Sequence, residues 1–335
     1  MKVATIIVNY RTAAATVEAV AAAFREVEGI AGSIIVVIDN DSGDGSLGEL
    51  QAAFGHDRWR GRVAVVGAPH NGGFGAGVNL GVAHVLETHG QPEYFLVLNP
   101  DSKIAPGALG RLTAFMEDHP DAGLLGTVVN NAAGNQLRGF RFPSLLSELE
   151  TRACLGPLTH LLRNKKIVMD IVDSGEVDWV SGVSMLFRSE VFASAGLFDE
   201  RFFLYFEEID LALRIRQSGW KIYFVAEAIV DHVGGLSTGV GDSTRRLPRY
   251  WFESRRRYFL KHHSRLYTAG CDAAWICGHA LFKAKAKLLG REDRMPPRMG
   301  RDFIRYTFAN LLKPAPEAEQ YRPRPAPLPA RAETR

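Results

Sequence analysis

The chain has few cysteines, little net charge and no long apolar run, and each shortage closes off a class of function. Cys154, Cys271 and Cys277 form an odd set with no C-x-x-C pair. That argues against a disulfide framework and a structural zinc site, and it fits a reducing compartment. A net charge of +3 over 335 residues gives no global reason to bind nucleic acid. The apolar part of 273–289 is interrupted by Gly278, His279 and lysines, so it is too broken to span a bilayer. The opening run Val3–Val8 is too short for a signal-peptide core, and Lys2 is the only basic residue before it. The expected location is therefore the cytoplasm. Glycine is also missing from Asn9-Tyr10-Arg11, the turn after the first apolar run, where a dinucleotide-binding oxidoreductase needs Gly-x-Gly-x-x-Gly.

What is present is an ordinary globular composition, 46% apolar and 23% charged, enough for one large α/β domain and a smaller appendage. Short β-rich runs at 3–8, 33–38, 62–66 and 95–98 alternate with helical stretches at 13–27, 47–54, 75–87 and 106–119. Such alternation predicts βαβ units in a doubly wound, mostly parallel sheet with helices on both faces. Further strands are expected at 124–129, 179–187, 220–225 and 229–233, and helices at 145–162 and 207–217. Gly182, inside its strand, signals close approach by a ligand or a neighbouring strand.

Beyond Gly241 the character changes: Arg245, Arg246, Arg249, Arg255–Arg257, Lys261 and Arg265 interleave with Tyr250, Trp251, Phe252, Tyr258 and Phe259. Two arrangements suit this pattern. The cations can face an anionic membrane surface, or a helix pair can pack its aromatics on the main domain with the arginines in solvent. The tail from Pro314 is Pro/Ala-rich and expected to be disordered. The division is thus 1–240 as the main domain, 241–312 as a helical basic extension, and 313–335 as the tail.

Four polar loops fall at the carboxyl ends of expected strands: 9–11, 39–40, 70–77 and 99–101. In a doubly wound sheet those ends share one edge and converge on one ligand. The run Phe95–Leu98 stops at Asn99-Pro100-Asp101 because Pro100 cannot donate to a ladder. Asp101 is then placed to hold a divalent cation that carries a phosphate, or merely to form an Asx turn before the next helix. The aromatic run Phe202–Phe206 leads into Glu207-Glu208. Paired acids there either charge a first helical turn, which the macrodipole favours, or supply a general base. A non-catalytic nucleotide-sugar-binding protein would not need them.

The ordered series IIVNY, VIDNDSGDGS, NGGFGAGVNLG, LNPD and DERFFLYFEEIDLALRIRQSGW resembles glycosyltransferase family 2 over roughly residues 3–235. The pairing of NPD with FFLYFEEIDL is similar to bacterial rhamnosyltransferases of cell-wall and polysaccharide assembly. The resemblance implies a GT-A fold and an inverting, metal-dependent transfer of a sugar from a nucleotide donor. The donor it suggests is dTDP-rhamnose, with UDP-sugars as the alternative, and the acceptor is a glycan or a lipid-diphosphate-linked glycan. It also implies an enzyme that is cytoplasmic or peripheral at the inner face of the cell membrane.

Carried over residue by residue, Asp39 would accept the imide N–H of uracil or thymine, with Asn9 and Tyr10 lining the base pocket. Asn71, Gly73 and Asn79 would pass close to the nucleotide. Asn99 and Asp101 stand where the family has Asp-x-Asp, so Asp101 would be the main contact to Mg²⁺ or Mn²⁺, with His232 approaching the metal or diphosphate. Glu208 would be the catalytic base; because the family usually has Glu-Asp there, Glu207 remains open for that role. Asp210 and Arg214, at i,i+4, are expected to pair on the helix.

Overall fold

The computed structural model describes residues 2–59, 61–131, 134–136, 138–232, 245–290, 295–311 and 313. Its first half is the expected alternation: β1 (Val3–Asn9), α1 (Ala13–Val27), β2 (Ile34–Asp39), α2 (Ser46–Phe54), β3 (Val63–Gly67), α3 (Phe74–His89) and β4 (Tyr94–Leu98). These strands pair in parallel in the order β3-β2-β1-β4. Every residue of β1, β2 and β4 is buried, as continuous apolar runs covered on both faces must be. Helix α3 lies unusually close to β1: a Cβ added at Gly77 or Gly81 would come within 2.7 Å of the Val8 or Ile6 side chain. All four strand ends therefore open on one edge.

The second half adds β5 (Ser102–Ile104), α4 (Ala108–Asp118), β6 (Ala122–Asn131), β7 (Gly134–Gln136), β8 (Arg138–Phe140), α5 (Leu145–Ala153), α6 (Gly156–Leu161), β9 (Val168–Asp170) and β10 (Gly175–Glu176). It continues with β11 (Ser184–Arg188), α7 (Glu190–Ala195), α8 (Glu207–Gln217) and β12 (Lys221–His232). The main sheet runs β10-β12-β6-β11-β4-β1-β2-β3, with β11 antiparallel between β4 and β6. Four of its seven pairings are parallel, so the sheet is mixed.

Three expectations are corrected. Of the strand expected at 179–187 only the end forms, and 179–183 is a loop facing the site. The two strands expected at 220–225 and 229–233 are one, β12, because a register shift between Val225 and Ile229 lets the chain continue along β6. The single helix expected at 145–162 is split where Cys154 turns left-handed, φ 46°.

The basic extension forms α9 (Arg249–His262), α10 (Arg265–Leu288) and α11 (Met299–Asn310). Tyr258 and Phe259 join Phe202 and Ile209 in one apolar cluster, and Phe252, Trp275, Met299 and Phe303 form another. The aromatics therefore pack as one of the two arrangements required, and Arg245, Arg246, Arg249 and Arg265 are exposed as it has them, whereas other cations of the run are drawn inward. Arg255 is buried and donates to Glu148 at 2.8 Å and to Asp272 at 2.6 Å. Lys261 reaches Asp199 at 2.7 Å and Asp210 at 2.6 Å, and Arg246 pairs with Asp302. Acids distant in sequence take up these cations, so the basic run could not reveal them. The boundary at 240 and the tail beyond Lys313 lie outside the described residues.

Replacing Arg255 with Met should leave the buried Glu148 carboxylate without its ion pair and Asp272 with only the Arg256 guanidinium, 3.6 Å away. The expected loss is roughly 3–5 kcal/mol of unfolding free energy, read from the urea midpoint. An unchanged midpoint would mean that the extension does not depend on this ion network.

Candidate active site

The carboxyl edge of the sheet opens into a cavity of about 510 Å³ lined from the first half by Tyr10, Asn40, Asn71, Gly73, Asn99 and Asp101. The Asn71-Gly72-Gly73 turn is tightly fixed. Asn71 Oδ1 accepts from Gly73 N and from Asn40 Nδ2, both at 3.0 Å, and Asn40 also donates to the Gly73 carbonyl at 3.0 Å. Gly73 has φ 91°, and a Cβ there would lie 1.9 Å from the Phe203 carbonyl oxygen, so only glycine fits. Phe74 N donates to that same oxygen at 3.1 Å. The glycine turn and the 202–206 loop are thus locked together across the cavity.

On the opposite wall, Asn99-Pro100-Asp101 ends β4 and passes directly into β5, whose Ser102 sits opposite His232 of β12. This pairing sets His232 Nε2 3.1 Å from Asp101 Oδ1. The Asp101 carboxylate is the donor type that suits Mg²⁺ or Mn²⁺, and the imidazole nitrogen beside it can join it on a transition ion such as Mn²⁺. Among the described residues no group of three or more His, Cys, Asp or Glu forms a protein cage. Two donors fit a cation that completes its shell with phosphate oxygens and water.

The third wall is the start of α8. Tyr205 and Phe206 both adopt left-handed backbone, φ 67° and 69°, and this sharp turn delivers Glu207 and Glu208 into the cavity lining. Glu207 is 4% exposed, whereas Glu208 is half-buried. Each has a buried Oε2 with no hydrogen-bond partner. Burial, reinforced by the adjacent Glu208 charge, pushes the Glu207 carboxyl well above the usual carboxylate range. Burial pushes Glu208 up to about 7, against backbone N–H groups that favour its ionised form.

The chain and the mixed α/β fold that carry this site have counterparts among known proteins. The model of the glycosyltransferase-like family 2 matches residues 2–259. The chain belongs to that family. N-Acetylglucosaminyl-diphospho-decaprenol L-rhamnosyltransferase of Mycobacterium tuberculosis H37Rv is 32% identical over 218 residues, covering 61% of this chain and 68% of that protein. Rhamnosyltransferase WbbL of Escherichia coli K12 is 30% identical over 158 residues, 46% of this chain and 58% of that one. Among solved structures, the mannosyltransferase PcManGT of Pyrobaculum calidifontis with GDP-Man and Mn²⁺ superposes with a TM-score of 0.54 at 14% identity, covering 94% of this chain and 81% of that one. At that identity the likeness shows the GT-A-type fold alone.

In this glycosyltransferase the sequence-expected residues divide by position. Tyr10, Asn71, Gly73, Asn99, Asp101, Glu207, Glu208 and His232 share the cavity. Asn9, Asp39 and Asn79 are not part of its lining. Asn9 is fully buried and bonds Asp39, Thr12 and Thr16. Asp39 turns into its own loop, accepting from Asn9 at 2.7 Å and from Ser42 Oγ at 2.6 Å. Asn79 ties α3 to the Phe198 backbone and to Glu200. Asn40, Ser181 and Tyr250 also line the cavity, and sequence reasoning left all three without a role there; for Asn40 its place beside Asp39 in a polar loop was the available signal. Asp210 and Arg214 pair at 3.0 Å as expected, and His262 and Lys261 also reach Asp210.

Two carboxyls with raised pKa should leave a mark on stability. The folded form retains protons that the unfolded chain loses near pH 4.5, so their contribution is fully present below that pH. For Glu208 it is lost as pH rises to about 7. A Glu207→Gln/Glu208→Gln double variant should therefore melt higher than the parent at pH 8 and lose that advantage at pH 4. An equal difference at both pH values would mean that the pair titrates normally.

Proposed function

We propose that this protein is an inverting, metal-dependent glycosyltransferase that moves rhamnose from dTDP-rhamnose to a lipid-linked glycan acceptor in cell-wall or polysaccharide assembly. Rhamnose and the lipid-diphosphate acceptor come from the names of the relatives; UDP-sugars are the alternative donors. The observation that carries the reading is Glu208, a carboxylate with one buried, unpartnered oxygen, lining one cavity with Asp101 and His232.

The nucleotide would lie along Tyr10, Asn71 and Gly73. Asp39 would meet the base through Oδ2, which accepts only the Ser42 N–H and so keeps acceptor capacity. Asp101 and His232 would hold Mg²⁺ or Mn²⁺, which neutralises the charge that collects on the leaving diphosphate. On the other side, the acceptor hydroxyl oxygen bonds to the anomeric carbon, its proton passes to Glu208, and the electron pair of the breaking C–O bond leaves with the diphosphate. A carboxyl near 7 is matched to that task at neutral pH. Glu207, pushed up by its burial and by the neighbouring Glu208 charge, remains the other acid of the pair.

Docking at a membrane surface fits α11 better than the 245–267 stretch. That helix turns Ile304 and Phe308 outward, Leu311 just past its end is exposed too, and Arg301 and Arg305 are exposed beside them. Binding to anionic vesicles should weaken on Phe308→Ser and with added salt; recovery in the supernatant with every lipid composition would remove this surface.

The catalytic test is a pair of isosteres assayed with dTDP- and UDP-sugars. Glu208→Gln should leave donor affinity nearly unchanged and slow transfer about 10²–10⁴-fold, whereas Glu207→Gln should do much less. The parent rate should rise with pH and level off above about 7. Asp101→Ala should abolish metal-dependent donor binding. Full activity of both Gln variants would place the base elsewhere, and activity indifferent to EDTA would remove the metal.

A further inference from the structure

We propose that a tryptophan-lined chamber on the far side of Glu208 is the acceptor site, and that it takes a monosaccharide carrying a phosphate or diphosphate, with Arg152 as the anion-binding residue. This rests on the transfer reaction proposed above. The chamber has a volume of about 230 Å³ and shares Tyr205 and Glu208 with the catalytic cavity. It is smaller than the roughly 300–1,000 Å³ of drug-sized ligand sites, which suits a single sugar ring. Glu208 therefore stands between two spaces, the one that holds Asp101 and His232 and the one that does not.

The walls have the chemistry of a sugar site. Trp179, Trp251 and Trp275 line the chamber. Trp179 is stacked on Phe140 and Trp275 on Phe303, so these two present ring edges. Trp251 is the ring left to meet the C–H face of a pyranose, whose hydroxyls need polar groups at the edges. Such groups are waiting: Trp275 Nε1 is buried without a partner, as is Glu208 Oε2, and Trp275 is only 1% exposed. An N–H donor and a carboxylate acceptor with nothing to bond are costly unless a ligand completes them.

Arg152 adds a charge. Two guanidinium side chains line the chamber, and they are treated differently. Arg255 is neutralised by Glu148 and Asp272. Arg152 has no carboxylate bonded to it among the described residues. It donates only to the weakly accepting Met299 sulfur at 3.6 Å, and it lies over the rings of Trp275 at 5.3 Å and Trp251 at 5.9 Å. Those rings orient the planar fork and leave its other N–H groups for a bidentate anion. An acceptor sugar joined directly to a phosphate or diphosphate places such an anion one ring away from the hydroxyl that meets Glu208. Trp251 and Trp275 come from α9 and α10, so the extension would supply acceptor recognition.

Three of the five tryptophans line the chamber, which gives a readout independent of turnover. The probes are N-acetylglucosamine 1-diphosphate esterified to a short alkyl chain and, as the uncharged control, methyl N-acetylglucosaminide. Titration of the full-length protein with the diphosphate should change tryptophan emission saturably, and the neutral glycoside should bind at least tenfold more weakly. Arg152→Met should raise the acceptor Kd and KM about 10- to 100-fold with the donor KM unchanged, and Arg152→Lys should recover part of the loss. Emission unmoved by the diphosphate, or an acceptor KM within twofold of the parent in Arg152→Met, would overturn the assignment. Because Glu208→Gln and donor binding are measured separately, transfer that depends on Glu208 but ignores Arg152 would sink the chamber and spare the reaction.

Discussion

The site depends on a turn that bulky residues rarely make. Tyr205 and Phe206 are consecutive left-handed residues, a conformation that costs of order 1–3 kcal/mol each and persists only where packing over-determines it. Here the packing is explicit. Phe206 meets Trp251 and Tyr258, Tyr205 stacks on Tyr250, and Ser254 Oγ donates to the Leu204 carbonyl at 2.9 Å. From the other side the Phe203 carbonyl is fixed by the glycine turn. Without these clamps α8 could begin a residue earlier or later, and the two acids would rotate out of the cavity.

The extension is therefore part of the framework that shapes the cavity. Helix α9 braces the 202–206 loop, is anchored by Lys261 and His262 on Asp210, and carries Tyr250 into the cavity lining. Its charges hold it in place from acids on α5, α8 and α10. The same logic explains why Glu207 and Glu208 are left without such partners: paired acids neutralised by arginine would be structural, whereas acids left dry are poised to bind a proton.

Much of this was legible in the chain. Continuous apolar runs announced β1, β2 and β4, and the corner at Pro100 announced where the cavity would open. What stayed hidden was set by contacts distant in sequence. Three residues of β5 carry no periodicity, yet their pairing with β12 brings His232 to Asp101. The family resemblance put Asn9, Asp39 and Asn79 at the nucleotide. The fold gives Asn9 and Asn79 buried hydrogen bonds away from the cavity lining, a placement the chain could not announce because an Asn at a strand end or on a helix reads alike whether it faces a ligand or a neighbouring backbone. Likewise Arg255 and Lys261 read as part of a basic surface only while their acids, Glu148 among them at 107 residues' distance, were out of view.

The central claim is that Glu208 works from the side opposite the departing diphosphate, so that the acceptor oxygen enters in line with the bond that breaks. The most direct measurement is the anomeric configuration of the newly linked sugar, read by NMR from the one-bond carbon–proton coupling and compared with that of the donor. The geometry predicts inversion at the anomeric carbon. Retention of the donor's configuration would contradict it, because the attack would then come from the side that holds Asp101 and His232.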